Sequence, residues 1–379
     1  MNTEDRLTPG VTLTWFPLVV RPRPPGLPLE TRIAELTRLA ATPAEGTRHD
    51  QASRAAEVLN KAALITSDCG MPGLARALCH RQHELFDRAR PLPAWAAQLA
   101  LQPILNIPRQ LIREGQGHDA YAMLQTLYQA ARERTTAVID GRPVDLSTIT
   151  CAPDDNKTVR TLIWTALLAD GTRALALAGR WQEAADHAAT HRGIGNRLLD
   201  GRQAAILALL HDGQPGEATV MVEQSTITEP WEHAAQSLLR VLCLHTAGTD
   251  TGHHVATMLV TARTLMQERD RSTTVTRTRI GMTALDLAGT QDDPQSRPLS
   301  AALVATAAGD GYAARDALSH HRICQSLTTG QRQHLQDLVR ACGLAAGTIP
   351  ERLHDQLMTA VSCAETTLKK GLKLAPDRG

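Results

Sequence analysis

The stretch LAGRWQEAADHAATH, residues 177–191, contains the pattern on which the fold prediction rests. An apolar helical segment ends at Gly179, and Ala184 follows five residues later. The same pattern recurs in four further segments, with the glycine and alanine pairs Gly70 and Ala75, Gly115 and Ala120, Gly213 and Ala218, and Gly309 and Ala314. Gly179 and Gly213 are 34 residues apart, and Gly248 follows Gly213 after 35. This spacing indicates an internal repeat.

The pattern resembles the tetratricopeptide repeat, a helix–turn–helix unit of 34 residues. In that family a glycine closes the first helix and a small residue five positions later lets the second helix pack closely; residues 178–188 match best. The resemblance covers patches between Arg54 and Leu318, but two intervals lengthen to 45 and 64 residues and Leu or Ala replaces several consensus aromatics. It implies an all-α, right-handed α-solenoid of antiparallel helix pairs. A generic helical array that shares only these turns is the alternative.

The composition agrees with a helical protein of balanced charge. Of 379 residues, 42% are hydrophobic, and Ala and Leu, which have high helix propensity, predominate. Forty basic and 39 acidic residues leave a net charge of +1, which argues against nucleic-acid binding. The seven cysteines include no CxxC pair, as is typical of free thiols in a reducing cytoplasm. The apolar run at 11–20 contains Pro17 and is too short to cross a membrane. We therefore expect a soluble, cytoplasmic protein without membrane contact.

Three segments are predicted along the chain. Residues 1–47 form an N-terminal arm with a short helix and a proline-rich strap, RPRPPGLPLE at 21–30. Residues 48–346 form the helical repeat array. Residues 347–379 form a capping helix with a short basic tail. The run before the strap alternates in character and either pairs as a strand or lies across the helices; the alternating residues are Val11, Leu13 and Trp15.

An insertion accounts for the longest interval between turn glycines. That interval of 64 residues exceeds one repeat by 30, and residues 135–157 break the helical period. Asp140 and Gly141 stand between apolar residues and predict a small β-hairpin near 136–147. Residues 153–156 predict a loop that leads into the next helix, with an Asp or Asn as N-cap. The hairpin is either a decoration or an arm that contacts a partner.

Prolines predict two further boundaries. Pro103 and Pro108 each remove a backbone donor, at a cost of about 3 kcal/mol, and should break or kink a helix. The C-terminal segment reads as one long amphipathic helix, with Thr348 near its cap and Pro350 in its first turn.

Three groups that contain histidine are candidates for metal sites. They comprise Glu183, His187 and His191; Cys79, His80 and His83; and His320, His321 and Cys324. Each lacks a complementary set of ligands elsewhere in the sequence, and zinc sites need at least three protein ligands and supporting contacts. The GxG in residues 193–195 follows a helix, which is the wrong context for a dinucleotide site. We therefore expect no metal, no cofactor and no catalytic residues of the chain's own.

The repeat frame places polar side chains of the first helices on a concave surface. Counted back from the turn glycines, they are Asn60, Gln102, Asn106, Arg109, Arg113, Asp170, Arg173, Asp200, Arg202 and Gln203. Amides and guanidinium groups can hold the backbone and a carboxylate of an extended peptide. For any single residue, a solvated helix face is the simpler explanation.

These features together predict a non-catalytic scaffold or sensor that binds a peptide or partner protein in its concave groove. Such proteins serve regulatory or peptide-modifying biosynthetic complexes, including assemblies that make lanthipeptides, and a heteromeric complex is expected by this analogy. The first rival is an enzyme with a site between the 135–157 insertion and the groove, using Asp154, Asp155 or a histidine. The second is an obligate subunit that lends a catalytic residue to a partner.

Overall fold

A computed structural model describes residues 13–42, 46–289 and 296–373 of the chain. Within these ranges the protein is mostly helical, with seventeen α-helices and one small antiparallel sheet of two strands. The predicted all-α class with a hairpin insertion is therefore confirmed, while the superhelical arrangement stays a prediction. The predictions for Val11 and for the basic tail beyond residue 373 lie outside the described residues.

The chain divides into two compact units. The first, called the hairpin unit, comprises Pro28–Gly171 and the residues from Gly343 onward. The second, called the strap unit, comprises the residues up to Leu27 together with Thr172–Cys342. Each unit is thus built from segments that are distant in sequence. The predicted boundaries at residues 47 and 346 stay a prediction.

The hairpin unit is a series of helices in sequence order, followed by a C-terminal helix. Its elements are α1 (Leu29–Ala41), α2 (Arg48–Asp68), α3 (Pro72–Asp87), α4 (Ala94–Arg113), α5 (Gly117–Glu133), β1 (Thr136–Ile139), β2 (Arg142–Asp145), the greater part of α6 (Pro153–Leu177) and α17 (Glu351–Gly371). Helix α3 packs on α2, α4 packs on α3, and α5 packs on α4, while α17 packs on α1 and α2. Alanines at 52, 55, 56, 62 and 63 form most of the buried face of α2, and their small side chains allow this close packing.

The strap unit contains the remaining helices. They are α7 (Trp181–Thr190), α8 (Asp200–His211), α9 (Pro215–Glu223), α10 (Pro230–Thr246), α11 (Gly252–Leu265), α12 (Thr274–Ala288), α13 (Ser296–Ala307), α14 (Gly311–Ser319), α15 (His321–Ser326) and α16 (Thr329–Ala341). Most again pack on their sequence neighbours. Short 3₁₀ turns at Leu13–Trp15 and Arg271–Thr273 complete the unit.

Five of the turn glycines in the predicted repeat pattern end their helices in the left-handed conformation. Their φ angles lie between 66° and 80°, and they are Gly70, Gly115, Gly179, Gly213 and Gly248. An L-residue with a Cβ is strained in this conformation, which explains the choice of glycine. Gly309 is different: its φ is not positive, and Asp310 caps the next helix with its carboxylate instead.

The predicted hairpin is present, with β1 and β2 paired antiparallel and Ile139 opposite Arg142. Asp140 and Gly141 form the two-residue turn with φ angles of 50° and 75°. Positive φ at both positions is the signature of a type I′ turn, which matches the twist of the two strands. Ala137, Ile139 and Val144 are buried, whereas Val138 is 64% exposed.

Two proline predictions need correction. Helix α4 runs unbroken through Pro103 and Pro108, so of the two predicted outcomes the break is wrong and the kink stays a prediction. Both prolines are buried on a helix that packs between α3 and α5, and this packing offsets the lost backbone hydrogen bonds. The C-terminal helix starts at Glu351 with Pro350 as its N-cap, so Thr348 lies near the cap as predicted, while Pro350 precedes the first turn instead of lying in it.

The predicted loop at residues 153–156 is also wrong. Pro153 begins α6, and Asp154 and Asp155 lie in its first turn. The amide N–H of Asn156 already donates to the carbonyl of Ala152 at 3.0 Å. Proline suits a first helical turn because its missing N–H has no helical partner there, and acidic side chains favour the positive end of the helix dipole.

Candidate peptide-binding surface

Five of the ten predicted surface residues form one connected set of hydrogen bonds in the hairpin unit, which we call the ladder. The ladder comprises Asn60 of α2, Gln102, Asn106 and Arg109 of α4, and Asp170 of α6. Asn60 donates to Gln102 (3.3 Å) and accepts from the amide of Asn106 (3.1 Å). Arg109 donates to Asn106 (3.3 Å) and, through Nε, to Asp170 (2.7 Å). Side chains from three separate helices thus meet on one surface.

The ladder combines a buried anchor with exposed donors. The Asp170 side chain is 4% exposed and fixes the Arg109 guanidinium, which itself is 41% exposed. Gln102 is exposed, and Asn60 and Asn106 are half-buried. Since a charge-assisted bond holds the guanidinium, its outward nitrogens can bind an acceptor at little further entropic cost. The ladder is therefore a preorganised row of amide and guanidinium groups.

Two further predicted residues lie outside the ladder. Arg113, at the end of α4, is exposed and donates through Nη2 to the hydroxyl of Ser67 at 3.2 Å. Arg173 is half-buried and belongs to the strap unit. Only the first of these continues the row of cationic side chains on α4.

The last three predicted residues are buried in the strap unit. Arg202 donates to Ser225 Oγ (2.8 Å) and to the carbonyls of Gly195 (2.9 Å) and Met221 (2.8 Å). Burial lowers the pKa of this guanidinium below its ordinary value. Arg202 therefore ties a loop to α9 and does not face an open surface, contrary to the predicted groove position.

Asp200 and Gln203 instead hold the chain's own N-terminal segment. This segment, residues 13–27, is the strap; after its 3₁₀ turn it forms no helix and belongs to no sheet in the described part of the chain. The Gln203 amide accepts from the backbone N–H of Leu18 (2.8 Å) and donates to the Leu18 carbonyl (3.2 Å). Asp200 pairs with Arg21 at 2.8 Å. Of the two predicted arrangements for the N-terminal run, lying across the helices is the one observed.

The ladder and the strap contacts lie at equal distances from the turn glycines that follow them. Asn60 lies ten residues before Gly70, and Gln203 lies ten residues before Gly213. Likewise, Gln102 precedes Gly115 by thirteen residues, as Asp200 precedes Gly213. At these positions the strap unit holds a backbone segment of its own chain, whereas in the hairpin unit the half-buried Asn60 and the exposed Gln102 bond to each other.

Sequence reasoning missed the contacts at the far end of the strap. Asp310 accepts from the N–H of Gly26 (2.7 Å) through one carboxylate oxygen and caps α14 with the other. The guanidinium carbon of Arg23 stands 3.5 Å above the centroid of the Tyr312 ring. The capping role of Asp310 has a local sequence signal, an Asp before a helix, but its contact with a residue 284 positions away has none.

The candidate metal and acid–base residues do not converge. Among the described residues there is no group of three or more His, Cys, Asp or Glu side chains that could hold a metal ion. His187 and His191 contact each other ring to ring, with centroids 4.6 Å apart, while Glu183 pairs with Arg180. Asp154 is exposed and lies sixteen residues before Asp170 on α6, about 24 Å along the helix. It therefore forms no common site with the ladder.

No family model, curated protein sequence or solved structure matches this chain. The resemblance to the tetratricopeptide repeat accordingly stays a prediction. In the ranges that the structure describes, no helix is both long enough and apolar enough to span a bilayer.

Proposed function

We propose that this protein is a non-catalytic, tetratricopeptide-like scaffold or sensor that binds an extended peptide, or an extended segment of a partner protein, across the ladder. The observation that carries the proposal is the continuity of the ladder across α2, α4 and α6. Isolated polar side chains on a helix surface are usually solvated, whereas a hydrogen-bonded row on three helices is spatially ordered before any ligand arrives.

The chemistry of the ladder fits a peptide backbone. Amide groups of Asn60, Gln102 and Asn106 both donate and accept, so they can satisfy the alternating N–H and C=O groups of an extended chain. Arg109 and Arg113 add guanidinium donors that suit a carboxylate. The ligand class is therefore an extended peptide with an acidic group, placed so that the carboxylate meets the end of α4. The cellular setting that we propose is a cytoplasmic regulatory or peptide-modifying biosynthetic assembly.

Selection from a displayed library of random dodecapeptides tests this proposal directly. The full chain is used as bait, and the enriched peptides are then measured by fluorescence anisotropy against two variants. The ladder variant is Asn106→Ala with Arg109→Ala. The matched control is Arg160→Ala, which removes an exposed arginine from α6 outside the ladder.

We expect enriched peptides to bind the wild type and the control equally and the ladder variant roughly 10 to 30 times more weakly, since two hydrogen bonds of about 1 kcal/mol each are lost. The single variant Gln102→Ala, at an exposed position, guards against misfolding and should weaken binding about three- to fivefold, as one neutral hydrogen bond. Peptides that bind all variants alike, or a library that yields no enriched sequence, would refute the proposal.

A further inference from the structure

The strap is held by contacts that differ along its length, and these contacts are specific for its sequence. At its start, three apolar side chains are buried among helices of the strap unit: Leu13, Phe16 and Leu18, with exposures of 4%, 3% and 1%. Trp15 stacks on His320, with ring centroids 5.7 Å apart. This end of the strap is an apolar anchor.

The middle of the strap is recognised through its charge. Arg21 pairs with Asp200, and Arg23 lies over the face of Tyr312. A guanidinium above an aromatic ring is attracted by the electrons of the ring face. The backbone N–H of Arg23 also donates to the carbonyl of Ser272 at 3.1 Å. Arg21 and Arg23, which are separated by one proline, are thus each recognised by a partner that favours a cation: a carboxylate for Arg21 and an aromatic ring for Arg23.

The end of the strap admits only glycine. The Gly26 N–H donates to Asp310, and its carbonyl accepts from the N–H of Gly311 (2.8 Å) and from the Cys342 thiol (3.3 Å). A Cβ built on Gly26 would lie 2.8 Å from the backbone nitrogen of Gly311 and 2.8 Å from the Tyr312 ring. Since backbone cannot move aside cheaply, a larger residue is excluded here.

The strap is attached in the manner of a docked linear peptide. Its backbone is held at Leu18, Arg23 and Gly26 by side chains or by single backbone hydrogen bonds, with no continuous strand pairing. Prolines at 22, 24 and 25 carry no N–H and favour an extended conformation before binding. Such segments are recognised by grooves that combine backbone contacts with side-chain pockets.

We propose that the surface beneath the strap, which we call the strap site, is a second peptide-binding site, specific for an extended segment of a partner protein. The ligand pattern is three apolar residues, as at Leu13, Phe16 and Leu18, followed by Arg-x-Arg-x-x-Gly with intervening prolines. The chain's own residues 13–27 occupy this site, and a partner segment of the same chemistry replaces them. The strap site lies in the strap unit and its test involves no ladder residue, so either proposal can fail without the other.

The covalent link between strap and site sets the conditions for exchange. A tethered segment acts at an effective concentration on the order of millimolar, so a free peptide of equal affinity displaces it poorly. Weakening the strap without changing the site should therefore raise the apparent affinity for a peptide in trans. Arg21→Ala with Arg23→Ala in the full chain does this, because both arginines belong to the strap and the site residues remain.

The probe is a fluorescent synthetic peptide of residues 13–28, LTWFPLVVRPRPPGLP, measured by anisotropy. We expect the strap-weakened variant to bind it at least tenfold more tightly than the wild type does. The same peptide with Gly26→Val should bind the strap-weakened variant at least tenfold more weakly than the native peptide does. Only the peptide differs in this comparison, so a folding defect of the protein cannot explain the result. Adding Asp200→Arg to the variant should weaken the native peptide and restore binding of a peptide with Arg21→Glu.

Three results would overturn the proposal. The first is that the strap-weakened variant binds the peptide no more tightly than the wild type does. The second is that the Gly26→Val peptide binds as well as the native one. The third is that the Arg21→Glu peptide does not regain binding to the variant that carries Asp200→Arg. Hydrogen exchange of residues 13–27 in the wild type provides a second readout, which should accelerate when the native peptide is in excess. Unchanged exchange at saturating peptide would place the bound peptide elsewhere and also contradict the proposal.

Discussion

Replacing Gln203 with alanine should detach the strap from α8 at one point. Gln203 has an exposure of 0%, and its amide makes three hydrogen bonds: with the N–H of Leu18 (2.8 Å), with the carbonyl of Leu18 (3.2 Å) and with the carbonyl of Leu198 (2.7 Å). Leu18 is itself 1% exposed, so water does not replace these partners while the strap remains docked. The substitution therefore removes the hydrogen-bond partner of three backbone groups: the N–H and the carbonyl of Leu18 and the carbonyl of Leu198.

The size of the effect follows from these contacts. Each hydrogen bond contributes about 1 kcal/mol net, and a buried donor left unsatisfied costs about 1–3 kcal/mol. The loss in the free energy of unfolding of the strap unit should then be about 3–5 kcal/mol, unless the strap leaves its site and its backbone is solvated. In that case the loss is limited to the free energy of docking, and the strap opens while the helices persist.

Urea unfolding and hydrogen exchange measured by mass spectrometry distinguish these outcomes. Exchange of residues 16–20 should accelerate strongly in Gln203→Ala in both cases, because the N–H of Leu18 loses its acceptor. The control is Gln333→Ala on α16, an exposed glutamine whose loss should change the free energy of unfolding by less than about 0.5 kcal/mol. A loss below about 1 kcal/mol with wild-type protection at Leu18 would show that the amide does not hold the strap.

Three other perturbations test the fold. Gly141→Val places a β-branched residue at a φ of 75° and should lower the free energy of unfolding in urea by about 1–2 kcal/mol. The control, Val138→Thr on the exposed face of the same hairpin, should change that free energy little. Equal effects of the two substitutions would contradict the type I′ turn. Burial alone would raise the pKa of Glu232, but hydrogen bonds from Arg197 and Thr228 outweigh it and lower that pKa. The carboxylate therefore stabilises the fold above its unfolded pKa and loses this effect as pH falls through its lower folded pKa. Glu232→Gln should have a smaller free energy of unfolding than the wild type at pH near 7, and the difference between the two should narrow near pH 3. A difference that does not change with pH would contradict this role of the carboxylate. Burial raises the pKa of the Cys79 thiol to about 12, so iodoacetamide at a pH of about 8 should modify the exposed Cys151 and Cys363 in the native protein and spare Cys79; equal labelling rates would contradict its burial.

The local elements were predictable because their signals are local. A helix that ends at Gly179 or Gly213 needs a left-handed residue, and glycine is the residue that adopts this conformation without strain. The pair Asp140 and Gly141 specifies a hairpin turn for the same reason. The ladder positions on α2 and α4 were also predictable, because the distance to the turn glycine places a side chain on a given face of its helix.

Pro103, Pro108 and Pro153 show where local reasoning was insufficient. A proline inside a helix costs free energy, but the free energy gained by burying the rest of the helix can exceed that cost. The sequence alone does not reveal how much surface α4 buries. At Pro153 the local sequence fits both a loop and a helix start, because the two attract the same residues. The first error came from the packing around α4, and the second from a local signal that fits both a helix start and a loop.

The chain's amino-acid pattern was sufficient for its helical class, its turn glycines, its hairpin and a set of polar positions. It was not sufficient to say which of those positions are open. Asn60 and Gln203 occupy the same place relative to their turn glycines, yet Asn60 is half-buried in the ladder and Gln203 is covered by a segment 185 residues away. Helix periodicity acts over a few residues and fixes the direction of a side chain, whereas its partner depends on contacts between distant segments, which arise only when the chain has folded.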